Sequence, residues 1–367
     1  MCLQSVYEER VMKELKQLEE MSNRYGADAR YVLAGGGNTS YKTDTTLYVK
    51  GSGTSLATIK AEDFVRLDRE KLGAMWKVNY SENEAERESQ VLADMMAARA
   101  TGETRRPSVE TLLHDLFRGK FVLHVHPSAV NAMTCAKMGK TIAEKLFPES
   151  VWVDACRPGY ILASICRDKL NAYKAKTGKD ACLLFLQNHG VFFAGDSTEE
   201  IDGLVSEMMN KLDEYALAAR KAARENLCVW LKELTETGYS EFLDGGDVAS
   251  FDPDFNSPTP DHIVYCKANY LTVDSSVTKD RLTKKVQIFK IENEYYPRVV
   301  IIRGEGAVVL GADEKQLTTV RDVFLDQVKV FHASHNYGGY FGMSDDLVDF
   351  IVNWEVESYR AKISSGK

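Results

Sequence analysis

Two stretches of the chain, "LLFLQNHGVFFAGDSTEEI" (183–201) and "VVIIRGEGAVVLGADEKQL" (299–317), align without a gap. Each reads as an apolar strand, a glycine-centred turn, a second short strand closed by Gly, and a helix opened by acidic residues. The pattern predicts that the C-terminal part of the chain copies part of the N-terminal architecture. Chance likeness between two ordinary strand–turn–strand–helix units is the alternative. His189 of the first stretch becomes Glu305 in the second, so chemistry that relies on His189 is not duplicated.

Other elements can be read around these two. Val11, Leu15, Leu18 and Met21 follow helical spacing, and Gly26 is expected to close that helix as its C′ residue. "TLYVKGS" reads as a strand, and "SENEAERESQVLADMMAARATG" as a helix closed by Gly102. "RRPSVETLLHDLFRGK" places Pro107 and Ser108 at a helix start, with Leu112, Leu113, Leu116 and Phe117 on one face. "KFVLHVH" is a short apolar strand. Residues 236–260 dissolve into turn-forming sequence, which suggests a linker between domains 1–235 and 261–367. A last helix is expected to start near Ser344, with Leu347, Phe350, Ile351 and Trp354 as its buried stripe.

Composition bounds the function. A net charge of −8 argues against a general nucleic-acid or anionic-membrane binder. No apolar run approaches the roughly 18–20 residues that span a bilayer, and the charged N-terminus is not a signal peptide. Seven cysteines without CxxC spacing suit reduced, structural thiols in a cytoplasmic protein.

Histidine placement carries the chemistry. His124 and His126 stand two apart on a strand, so both imidazoles face the same side and suit a Zn²⁺-type ion. Such a pair alone equally describes a structural or surface role. His189, beside Gly190 at a strand end, is a third candidate ligand. Three histidines with an open coordination position describe a catalytic rather than a structural zinc. His114, His262, His332 and His335 read as ordinary core or surface residues. Glu110, in the first turn of the helix that feeds the HVH strand, is either a helix-dipole charge or a general base beside the metal.

"AGGGNTSYK" (34–42) and "KGSGTS" (50–55) are glycine turns. Neither is a P-loop or a dinucleotide fingerprint, because GxxxxGK[ST] is absent and a strand follows the first. Their backbone N–H groups and small hydroxyls, together with Ser108 at a helix N-terminus, could surround one phosphate. Plain hairpin connections are the alternative for each turn.

Taken in order, "GGGNTS", "KGSG", "PSVE", "HVH" and "NHG" resemble the class II (zinc-dependent) aldolase/adducin family over roughly residues 30–220. "LYVKGSGTSLATI", "RPSVETLLHDLF", "TPDHIVYCK" and "NWEVESYRAKI" look like the aldolase part of bifunctional rhamnulose-1-phosphate aldolase/lactaldehyde dehydrogenase proteins. No dehydrogenase segment with a nucleotide-binding glycine motif follows before Lys367, so the resemblance does not imply an oxidoreductase activity.

The resemblance implies an α/β fold, a layered α/β/α domain with a central, mostly antiparallel sheet; the internal similarity adds the expectation of a smaller C-terminal α/β domain that is a partial repeat. It implies that His124, His126 and His189 bind one Zn²⁺ per subunit, that Glu110 is the catalytic acid/base, and that Asn38, Ser52, Gly53 and Ser108 contact a substrate phosphate. Where related fuculose-phosphate aldolases have two serines before the glutamate, this chain has Ser108-Val109. The missing hydrogen bond is expected to be absent or to come from Thr39 or Ser40. Tyrosines protonate the leaving aldehyde in the family; Tyr337 and Tyr340 are not matched to them. The implied reaction cleaves a ketose 1-phosphate into dihydroxyacetone phosphate and an aldehyde such as lactaldehyde. The alternatives are a ribulose-phosphate 4-epimerase type of reaction and a non-enzymatic, adducin-like interaction protein. The implied partners are a phosphorylated sugar and further copies of the chain, a tetramer by family likeness, with no nucleic acid and no membrane.

Overall fold

The computed structural model describes residues 3–353 and divides the chain into two compact units, 1–215 and 216–367. The division falls inside the helix Thr198–Thr235. The segment 236–260, expected as a linker, instead carries a strand and a short helix of the second unit. Its strand spans five residues between turn formers, too short a run for alternation to stand out from the surrounding Gly, Asp and Pro.

The first unit is built on seven strands: β1 (Asn38–Lys42), β2 (Thr46–Val49), β3 (Val65–Asp68), β4 (Phe121–Val125), β5 (Val151–Val153), β6 (Leu183–Leu186) and β7 (Gly190–Gly195). Their order is β3-β2-β1-β4-β7-β6-β5, and every pair is antiparallel except β5 with β6. Helices cover both faces, which buries the middle of the sheet on both sides and accounts for the apolar runs of β4, β6 and β7. Phe121, Leu123 and Val125 point to a core shared with Leu15, Leu18 and Met21 of the helix Leu3–Gly26. Val122 and Phe192 point to the other, shared with Val91, Leu112, Leu113 and Leu162. His124 lies on this second side by strand alternation.

Local differences from the sequence reading have steric reasons. The first helix does end at Gly26, but not through a left-handed turn: a Cβ there would lie 2.4 Å from the Ala57 nitrogen, so glycine permits close packing. The helix Glu84–Ala97 stops before Gly102, whose φ of +82° belongs to the following turn. The helix expected from Pro107 begins at Thr111, with Glu110 as its N-cap residue.

The second unit holds β8 (Tyr239–Leu243), β9 (Leu271–Val273), β10 (Val299–Ile302) and β11 (Gly306–Gly311) in the order β8-β11-β10-β9. This repeats β4-β7-β6-β5 strand for strand. The registers coincide: Leu183↔Phe193 and Leu186↔Gly190 in one hairpin become Val299↔Val309 and Ile302↔Gly306 in the other. The parallel neighbours match too, with Leu184↔Val151 becoming Val300↔Leu271. Even loop bonds recur, since Gln187 N–H donates to Val153 O and Arg303 N–H to Val273 O, both at 3.0 Å. The expected copy is therefore present, and it extends over four strands rather than one hairpin. In the β8–β11 ladder Phe242 takes the position of His124, because Val308 faces it as Phe192 faces His124.

The last helix runs Asp345–Asn353, but its expected stripe is not buried: Leu347 and Phe350 are 52% and 58% exposed, and only Ile351 is covered. Trp354, like the rest of "WEVESYRAKI", lies outside the described residues. The cysteines are free among the described residues, yet Cys135, Cys156 and Cys182 are exposed rather than buried. No helix among the described residues is long and apolar enough to cross a membrane.

Candidate metal centre

Strand β4 brings His124 to the site and ends there, with His126 one residue beyond. The His126 N–H donates to Tyr31 O at 3.1 Å. His189 comes from the turn between β6 and β7, made tight by Asn188 at φ +59°. The ligand-capable atoms of the three imidazoles lie within 4.8 Å of one another.

One contact fixes the protonation pattern. His124 Nδ1 lies 3.0 Å from Val191 O, and a carbonyl only accepts, so Nδ1 carries the hydrogen and Nε2 the lone pair. That Nε2 faces His126 Nε2 at 2.9 Å and Glu110 Oε2 at 3.4 Å. Burial, reinforced by His189, pushes His124 down to about 3. Burial likewise pushes His126 down to about 4. Both are held as neutral imidazoles, the form that ligates metal. Convergent nitrogens with a second hydrogen bond orienting one ring fit a borderline-soft divalent ion.

The Glu110 side chain makes no capping bond to its own helix; its carboxylate turns to the histidines, with Oε1 3.5 Å from His189 Nε2. Of the two readings of the sequence, this placement favours the carboxylate beside the histidine cluster. Asn38, opposite His124 in the β1–β4 ladder, donates from Nδ2 to Glu110 Oε2 at 2.6 Å. Gly37 precedes it at φ +70°, and a Cβ there would lie 2.9 Å from His124 O. Gly36 and Gly37 thus let β1 start against the histidine strand, with Gly36 beside the His126 ring.

The second glycine turn is pinned to the same place. Ser52 N–H donates to Arg106 O at 2.8 Å and Ser108 N–H to Lys50 O at 3.0 Å. Ser52 and Gly53 are exposed, Gly53 at φ +86°, while Ser108 is buried and its Oγ accepts from Glu110 N–H at 3.3 Å. Thr39 and Ser40 are both buried and engaged, Thr39 Oγ1 with Ser22 Oγ at 2.7 Å and Ser40 Oγ with His114 Nδ1 at 2.8 Å. Neither hydroxyl is free to replace the serine missing at Val109.

Sequence reasoning missed two residues. His114, read as ordinary core, is fully buried and bonds through Nε2 to Asn38 Oδ1, joining the site. Burial pushes it well below the ordinary imidazole range. Its place four residues after Glu110, on the same helix face, was the available signal. Lys50 is 6% exposed, and its ammonium has no hydrogen-bond or ion-pair partner among the described residues; burial lowers its pKa, against the opposing pull of the Glu110 charge. Tyr340 donates its hydroxyl to Asn256 O at 2.7 Å, and Tyr337 is exposed.

Among known proteins, the chain is 24% identical to the uncharacterized oxidoreductase YuxG of Bacillus subtilis (strain 168), an alignment covering 96% of this chain and 59% of that protein. The chain thus spans less than two thirds of that curated relative. Similar solved structures include the N-terminal class II aldolase domain of a conserved protein from Thermoplasma acidophilum. That likeness has a TM-score of 0.48 and 25% identity, covering 55% of this chain and 93% of that one. L-fuculose-1-phosphate aldolase from Thermus thermophilus follows at TM-score 0.37 and 14% identity, with 57% and 95% covered. The model of the class II aldolase and adducin N-terminal domain matches residues 17–209, a span that contains all three histidines, Glu110 and both glycine turns. The chain belongs to the class II aldolase and adducin family.

Proposed function

We propose that the chain is a zinc-dependent aldolase that cleaves a ketose 1-phosphate, of the rhamnulose-1-phosphate kind, into dihydroxyacetone phosphate and an aldehyde such as lactaldehyde. The observation that supports this reading most is the meeting of three imidazoles with a carboxylate that is turned away from its helix. His124, His126 and His189 would hold the ion, which when bound supplies Lewis-acid polarisation of the substrate oxygens. Glu110 would take a proton from C3 of dihydroxyacetone phosphate in the condensation direction, and return it in cleavage. Ser52, Gly53 and Ser108 would receive the phosphate, with the second N–H of Asn38 and the Lys50 charge beside them. Remote phosphate binding then orients the reacting carbon. Further copies of the chain, as a homotetramer, complete the proposal.

Metal analysis combined with a cleavage assay across rhamnulose, fuculose, ribulose and xylulose 1-phosphates tests it. Zinc near one per chain with dihydroxyacetone phosphate as product supports the reading. An epimerised sugar without carbon–carbon cleavage would assign the epimerase reaction instead. A metal-free protein inert toward all four would assign an adducin-like binding role.

A further inference from the structure

Four side chains form one continuous line into the site: Ser40 Oγ to His114 Nδ1, His114 Nε2 to Asn38 Oδ1, and Asn38 Nδ2 to Glu110 Oε2. The direction of every hydrogen follows from its last member. An ionised carboxylate only accepts, so Asn38 must present its nitrogen to Glu110 and its oxygen to His114. His114 Nε2 must then carry the hydrogen, which leaves Nδ1 to accept from the Ser40 hydroxyl. A flipped Asn38 amide would set oxygen against the Glu110 carboxylate and nitrogen against the His114 N–H, losing both bonds at once.

We infer that His114 is a positioning residue for the proposed reaction: it locks the Asn38 amide so that Glu110 Oε2 stays occupied and Oε1 is the oxygen that exchanges protons with substrate. His114 is fully buried on the helix Thr111–Leu116, and its backbone carbonyl accepts from Lys42 Nζ at 2.7 Å. Neither end of the ring can turn without breaking a bond that nothing else replaces. The inference rests on reading Glu110 as the acid/base, and it adds that the carboxylate's two oxygens have different duties.

The test compares His114→Leu, His114→Gln and Ser40→Ala in the metal-loaded protein. His114→Leu should lower kcat roughly 10–100-fold, the scale of a misplaced catalytic group, with metal content little changed. Gln offers a donor and an acceptor of similar reach, so His114→Gln should recover most of that loss. Ser40→Ala should give a smaller loss in the same direction. The Asn38 side-chain NH₂ protons, followed by NMR hydrogen exchange, should be protected in wild type and exchange fast in His114→Leu. That readout needs no turnover. An Asn38 amide still protected in His114→Leu, or a Gln variant as slow as the Leu variant, overturns the inference. If His114→Leu does not fold, the Gln and Ser40→Ala variants decide. A wild type that cleaves no sugar phosphate but shows the NMR pattern would refute the aldolase reading and leave the locked amide standing.

Discussion

Gly37 and His124 touch through the backbone: a Cβ on Gly37 would sit 2.9 Å from the His124 carbonyl oxygen, on a residue whose φ is +70°. Gly37→Ala should therefore cost about 1–3 kcal/mol of stability through strain and clash, and weaken metal binding by shifting His124. Gly35, whose Cβ would meet nothing within 4 Å, is the control, and Gly35→Ala should be nearly neutral. Denaturant midpoints and a zinc titration of both variants check this.

Glu110→Gln keeps the size of the side chain and removes its basicity. Zinc should remain bound, while C3 proton exchange of dihydroxyacetone phosphate falls roughly 10²–10⁴-fold. Brisk exchange in the variant would remove Glu110 from the acid/base role.

His189→Ala deletes one of three converging nitrogens. Zinc affinity should fall by more than the roughly 10–100-fold typical of losing an outer partner. A variant purified with full metal would argue against ligation by His189.

Lys42 supplies a pH test. Its ammonium is buried among backbone carbonyls, donating to His114 O and Phe117 O, and burial pushes it down to about 7. The unfolded chain keeps an ordinary lysine, so between about pH 7 and 10 it binds more protons than the folded chain. Stability from this site therefore rises with pH across that window and is flat below it. The urea midpoint of wild type relative to Lys42→Met should increase from pH 7 to 9. A difference that stays constant would show that Lys42 titrates alike in both states.

The histidine pair was legible because strand alternation forces residues two apart onto one face, and His189 because Gly190 marks a turn. The doubled hairpin was legible for the same reason, as alternation and glycine placement recur together. What stayed hidden depends on neighbours distant in sequence. His114 acquires its meaning from β1, seventy-odd residues upstream, and no spacing rule reports that Asn38 and Ser40 flank it. Glu110 read either as a helix-dipole charge or as a base beside a metal, and only the fold, which turns its carboxylate toward His124 and His189, separates the two. The strand β8 was lost because five residues among Gly, Asp and Pro carry too little pattern.

The second sheet repeats the first in strand order and register while carrying Phe242, Asp244 and Glu305 at the positions of His124, His126 and His189. The molecule thus contains its own negative control. A hairpin of this shape closes, pairs and packs without any imidazole, so its stability comes from backbone ladder, glycine turns and apolar cover. Variants stripped of the histidines should fold, and whatever activity they lose can be charged to chemistry rather than collapse.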